Sequence, residues 1–178
     1  MTTRRFSSAA SAMLLLLAAC CAMAGADKPR KTATADLKDT KGQNVGVARF
    51  TATKGGVVMS AKVMNLSPGV HAIHIHEAGK CDAPDFKTAG GHFNPAGRKH
   101  GTQNPEGHHA GDLPNLTVSA KGTGAFKSTT QDVTLVGDGP TSLFRAGGTS
   151  VVIHEKADDM KTDPAGNAGA RIACGVIQ

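Results

Sequence analysis

From about Thr32 onward the chain is written in short apolar runs, many alternating with polar residues and most of them bounded by glycine. Alternation with period two sends successive side chains to opposite faces of a strand. Segments 34–38, 45–53, 57–63, 70–77, 116–119, 124–128, 132–135, 148–154 and 170–176 read this way. Turn residues stand between them at 41–42, 54–56, 67–69, 121–122 and 137–139. No stretch sustains a 3.6-residue apolar period, so the pattern predicts an all-β sandwich or barrel. Residues 78–115 and 156–169 break the rhythm, and loops of that length in a compact domain are usually functional.

One strand carries a pattern of its own. In His71-Ala72-Ile73-His74-Ile75-His76-Glu77 the isoleucines share one face and His74 and His76 the other. Val151 and Ile153 likewise share a face opposite Val152 and His154. The isoleucine face belongs to a core, which leaves three imidazoles on the outside of the barrel beneath the long loops. The first of these loops holds His92, His100, His109 and Asp112, spaced eight, nine and three residues apart. Three imidazoles and a carboxylate complete a closed tetrahedral set for zinc. His74, His76 and His154, with His92 as a shared fourth ligand, suit copper, which heads the affinity order for nitrogen donors.

Composition adds the compartment and removes some partners. Residues 1–24 read as a signal peptide: Arg4 and Arg5, a short leucine-rich run, then small residues near Ala22 and Ala24. Leu17-Ala18-Ala19-Cys20 resembles a lipobox, so the alternative to soluble release is acylation of Cys20 and a lipid anchor as the sole membrane contact. Residues 25–35 read as a linker and 36–178 as one domain. Both routes predict an exported protein of the periplasm or cell envelope, an oxidising setting in which simple cleavage leaves Cys81 and Cys174 to form one disulfide, whereas acylation of Cys20 would keep Cys21 as an odd thiol. The net charge of +6 is scattered, and with no Trp or Tyr to stack on bases, nucleic acid is not an expected partner.

The motifs already quoted, together with Gly90-Gly91-His92-Phe93-Asn94-Pro95, His109-Ala110-Gly111-Asp112-Leu113, Asp158-Asp159 and Gly166-Asn167-Ala168-Gly169-Ala170-Arg171-Ile172-Ala173-Cys174-Gly175, resemble the copper/zinc superoxide dismutases over roughly residues 36–178. The resemblance implies an eight-stranded Greek-key β-barrel with two long functional loops, and one copper and one zinc per chain. It implies copper on His74, His76, His92 and His154, and zinc on His92, His100, His109 and Asp112, with His92 bridging. Asp158 would hydrogen-bond the ligands His74 and His100, Arg171 would sit beside the copper, and Cys81 would pair with Cys174. His92 and Arg171 would be the catalytic pair acting on superoxide, a small anion. His71 is expected to support the site without ligating a metal, and His108 has no assigned role.

Three departures stand against that pattern. Ala72 replaces a common glycine, so its backbone must avoid positive φ. Ala165 replaces a frequent threonine, and the second loop is short, which leaves Lys156 and Lys161 as candidate steering charges only. A homodimer is compatible with the resemblance, which fixes no interface. A metal-carrying, inactive relative would lack a ligand, the bridge or the arginine, and a zinc hydrolase would need an open zinc position that Asp112 closes.

Overall fold

The computed structural model describes residues 1–2 and 31–178. The leader, Cys20 and most of the segment read as a linker lie outside the described residues. Among the described residues nine strands form one antiparallel sheet: β1 Thr32–Asp39, β2 Asn44–Thr53, β3 Gly56–Val63, β4 Gly69–His71, β5 Ile73–His76, β6 Leu116–Val118, β7 Gly124–Thr130, β8 Ser150–His154 and β9 Arg171–Val176. Their order is β4-β6-β7-β3-β2-β1-β9-β8-β5. The two ends of that order, β4 and β5, are separated in the chain by Ala72 alone, so the sheet curls into a barrel. Counting β4 and β5 as one bent strand gives the expected eight. The order β4-β6-β7-β3 is the Greek-key crossover, because the chain leaves β3, passes over two places and returns beside it.

The alternation works as written on most strands. Ala33, Ala35 and Leu37 of β1, Val45, Ala48 and Phe50 of β2, and Val57, Met59, Ala61 and Val63 of β3 are buried together with Ile73, Ile75, Val151 and Ile153. β1 begins inside the segment read as linker, because Thr32-Ala33-Thr34-Ala35 already alternates and pairs with residues 48–51 of β2.

Two expectations are corrected. Segment 70–77 is two strands, since β4 pairs with β6 while β5 pairs with β8, and the chain must change partners between them. Ala72 makes the change without positive φ, donating to Lys156 O at 2.7 Å and accepting from His154 N at 2.9 Å. Segment 132–135 is not a strand: Thr134 makes one isolated bridge to Ser142. Val133 and Leu135 are buried at 2% and 1% exposure, so their alternation marks two plugs lowered from a loop into a barrel with no free edge left to extend.

Candidate metal centre

The first loop reaches β5 by backbone hydrogen bonds. Phe93 N donates to Ile75 O at 2.8 Å, Ile75 N to Gly111 O at 2.9 Å, and Gly111 N to Phe93 O at 2.9 Å. Phe93 and Leu113 are buried in the core. Their neighbours His92 and Asp112 consequently turn to the opposite face, as bridge partners of His76 and His74. Strand β8 pairs with the other edge of β5 and brings His154 to the same face.

Two groups of side chains result: His74, His76, His92 and His154, and His92, His100, His109 and Asp112, the ligand atoms of each lying within 4.8 Å of one another. In the first group His74 Nδ1 and the Nε2 atoms of His76, His92 and His154 are buried without a hydrogen-bond partner. An unpaired buried polar atom costs about 1–3 kcal/mol, so four at one point need a common partner. A metal ion fits that need. The opposite nitrogens are engaged and fix the rings: His74 Nε2 donates to Asp158 Oδ2 at 2.8 Å, His76 Nδ1 to Gly90 O at 3.0 Å, and His154 Nδ1 to Gly169 O at 3.4 Å.

In the second group the Nδ1 atoms of His92, His100 and His109 lie 2.9, 3.1 and 3.3 Å from Asp112 Oδ1. Asp112 Oδ2 accepts from Gly101 N and His109 N, which aims Oδ1 at the imidazoles. Three nitrogens and one carboxylate oxygen, all buried, suit a zinc ion. His92 belongs to both groups, offering Nε2 to the first and Nδ1 to the second.

Charge separates the groups. Burial, then the neighbouring His92, Arg171 and His154, hold His76 well below the ordinary histidine value. Burial lowers His92 to about 4 and, with His74, lowers His154 to about 3. Neutral imidazoles are what a metal requires. Burial opposes charge on His100 too, but hydrogen bonds to Asp112 and Asp158 outweigh it and raise that ring to about 9. Burial likewise favours the neutral forms of the two carboxyls, yet their histidine partners win and hold both far below the usual range.

Asp158 ties the groups together, accepting from His74 Nε2 at 2.8 Å and His100 Nε2 at 3.0 Å. Its own backbone is gripped at both ends by Asn115, whose Nδ2 donates to Asp158 O and whose Oδ1 accepts from Asp158 N. Gly166 packs so closely on this link that a Cβ there would overlap Asp158 Oδ1. Asn115 was missed by the sequence reading, as was Asp163, whose Oδ1 accepts from His100 N at 2.7 Å. A polar residue two places beyond the Asp112-Leu113 pair was the only signal for Asn115.

Arg171 donates through Nη1 to Phe86 O and through Nη2 to Gly90 O, both at 2.7 Å. With His76, His92, His109, His154, Pro164 and Ala165 it lines a cleft of about 300 Å³. Burial lowers its pKa, yet a guanidinium stays charged at any ordinary pH. Lys156 and Lys161 do not line the cleft. His71 is held between His154 O and Ser67 O, each 2.8 Å away, and stands in neither ligand group. His108 is half-buried and meets Asp132 Oδ2 at 3.1 Å. Cys81 and Cys174 form a disulfide.

A profile of the copper/zinc superoxide dismutases matches residues 44–177. A protein named superoxide dismutase [Cu-Zn] 1 from Aquifex aeolicus is 51% identical over 145 residues, covering 81% of this chain and 86% of that one. The superoxide dismutase [Cu-Zn] of Caulobacter vibrioides is 42% identical over 149 residues, covering 83% and 86%. Among solved structures, a SOD-like protein from Bacillus subtilis superposes with TM-score 0.77 at 40% identity, covering 80% of this chain and 96% of that one.

Proposed function

The chain belongs to the copper/zinc superoxide dismutase family, and from that premise we propose how its own residues divide the work and where the protein acts. It is an oxidoreductase that converts two superoxide anions and two protons into oxygen and hydrogen peroxide, with copper and zinc as cofactors. His74, His76, His92 and His154 would hold copper, and His92, His100, His109 and Asp112 would hold zinc. Copper there would supply a one-electron acceptor for one superoxide and a one-electron donor for the next.

The protein supplies the rest. Arg171 faces the cleft with a permanent positive charge, fixed by two carbonyls so that it is ordered before the anion arrives. The cleft is about 300 Å³ and the histidines beneath it are buried, which suits a small anion as the group that reaches them. His92 lines the cleft and its Nδ1 is held on the Asp112 side, so Nε2 would be the nitrogen to take a proton from solvent and pass it to the reduced substrate. Asp158 and Asn115 keep His74 and His100 from turning.

The observation that carries this assignment is the convergence of four unpartnered buried nitrogens on one point, one of them from a ring shared with the second group. An inactive metal carrier would not need the shared ring or the arginine. For the place of action, residues 1–24 and the disulfide support export to the periplasm or cell envelope, with removal of superoxide there as the task. Acylation of Cys20 would anchor the product to a membrane, and intact-mass analysis of the exported protein reads that directly.

Elemental analysis of the oxidised protein, with dismutation measured before and after copper removal, tests the assignment. About one copper and one zinc per chain, and activity that leaves and returns with copper, are expected. Zinc alone, with no activity after copper is supplied, would overturn it.

A further inference from the structure

We propose that Glu77 is a positioning residue for both His76 and Arg171, acting through the single peptide plane between Gly90 and Gly91; the proposal rests on the site assignment just given. Glu77 follows His76 at the end of β5, and its exposed carboxylate accepts from Gly91 N through Oε1 at 2.9 Å. The carbonyl of the same peptide, Gly90 O, accepts from His76 Nδ1 at 3.0 Å and from Arg171 Nη2 at 2.7 Å. In a planar trans peptide the N–H and C=O point in opposite directions, so gripping one sets the aim of the other. A carboxylate on the N–H also polarises the carbonyl toward its two donors.

The local sequence makes this grip necessary. Two consecutive glycines are the most mobile dipeptide available, and Gly90 sits at φ +75°. A Cβ there would come within 2.7 Å of Glu77 Cγ and Oε1, so the glycine both adopts the turn and lets the carboxylate lie against it. The backbone adds one parallel tie, Glu77 N to Gly91 O at 3.0 Å. His76 therefore keeps its proton on Nδ1 and its Nε2 bare, and the guanidinium keeps its angle to the cleft, through one shared carbonyl.

Glu77→Ala and Glu77→Gln, the second retaining an oxygen acceptor, separate this role from mere folding. In metal-free protein, exchange of the Gly91 amide and the His76 Nδ1 proton should accelerate about tenfold in Glu77→Ala and stay near the parent rate in Glu77→Gln, the loss of one charge-assisted bond. In protein loaded with copper and zinc, azide affinity should fall severalfold in Glu77→Ala with a changed copper(II) resonance spectrum, and recover in Glu77→Gln at unchanged metal content. Parent-like exchange in Glu77→Ala would overturn the grip. Faster exchange with parent-like azide affinity and spectrum would overturn its reach to His76 and Arg171. A parent protein without copper-dependent activity would sink the site assignment instead, while the two exchange rates still decide the grip.

Discussion

Strands β3 and β5 feed the same core and differ on their other face. On β3, Val57, Met59, Ala61 and Val63 point inward while Lys62 stands in water. On β5 nothing is exposed: Ile73 and Ile75 join the core, and His74 and His76 on the reverse are fully buried. The cover over that reverse face has little apolar mass of its own, a small cluster of Phe86, Ala89, Val152 and Cys174 beside Cys81. The inner layer is held by hydrophobic area, the outer by hydrogen bonds, one disulfide and the ligand groups. One side of the barrel is thus a scaffold, and the other is a cover held mainly by polar contacts and one cross-link.

The sharpest break of that contrast is His92→Ala, which removes the ring common to both groups. Activity should fall below detection and both metals should be depleted, while the far-ultraviolet circular dichroism of the barrel survives; full copper and zinc occupancy would refute the bridge. Next in size, stripping the metals should speed amide exchange in residues 78–115 and 156–169 by orders of magnitude and lower Tm by roughly ten degrees or more, leaving β1 to β3 protected. Uniform loss across all strands would erase the distinction between scaffold and cover. Arg171→Glu comes third: turnover at limiting substrate should drop about tenfold or more and its salt dependence should change. An unchanged rate and salt response would make Arg171 structural.

The smallest effect concerns pH in the metal-free protein. His100, raised to about 9, stabilises the fold fully below the unfolded histidine value and loses that contribution as pH climbs through about 9. His76, His92 and His154 are depressed, so the unfolded chain takes up protons first and stability falls as pH drops below that same value. Tm should peak near neutrality and decline by a few degrees on either side, more steeply toward acid. A flat profile would mean that the cover contributes nothing to the metal-free fold.

The scaffold was legible because its strands obey a one-dimensional rule: residues such as Ala33 to Leu37 or Val57 to Val63 show their buried face by period two. The histidines that the structure gathers into two groups were legible because histidine is scarce and its alternation with isoleucine admits few uses. Partner exchange at Ala72 was hidden, since nothing in the sequence says that β4 and β5 pair with different neighbours. Segment 132–135 misled for a related reason: Val133 and Leu135 alternate like a strand, and only the closed barrel shows that no edge awaits them. Asn115 and Glu77 act through backbone atoms of distant residues, and such contacts exist only once the loops have been placed.

The first and last strands are neighbours. β1 pairs with β9 at Lys38 and Cys174, and Thr34 exchanges hydrogen bonds with Gln178. A chain that emerges N-terminus first therefore holds its opening strand unpaired on that edge until its final residues are free. Arg171 and the second half of the disulfide travel on that same last strand. Strand β9 thus sets Arg171, the second half of the cross-link and the pairing that closes the barrel in place together, so a chain stalled before it has the histidines of both groups but neither the arginine, the disulfide nor a closed barrel.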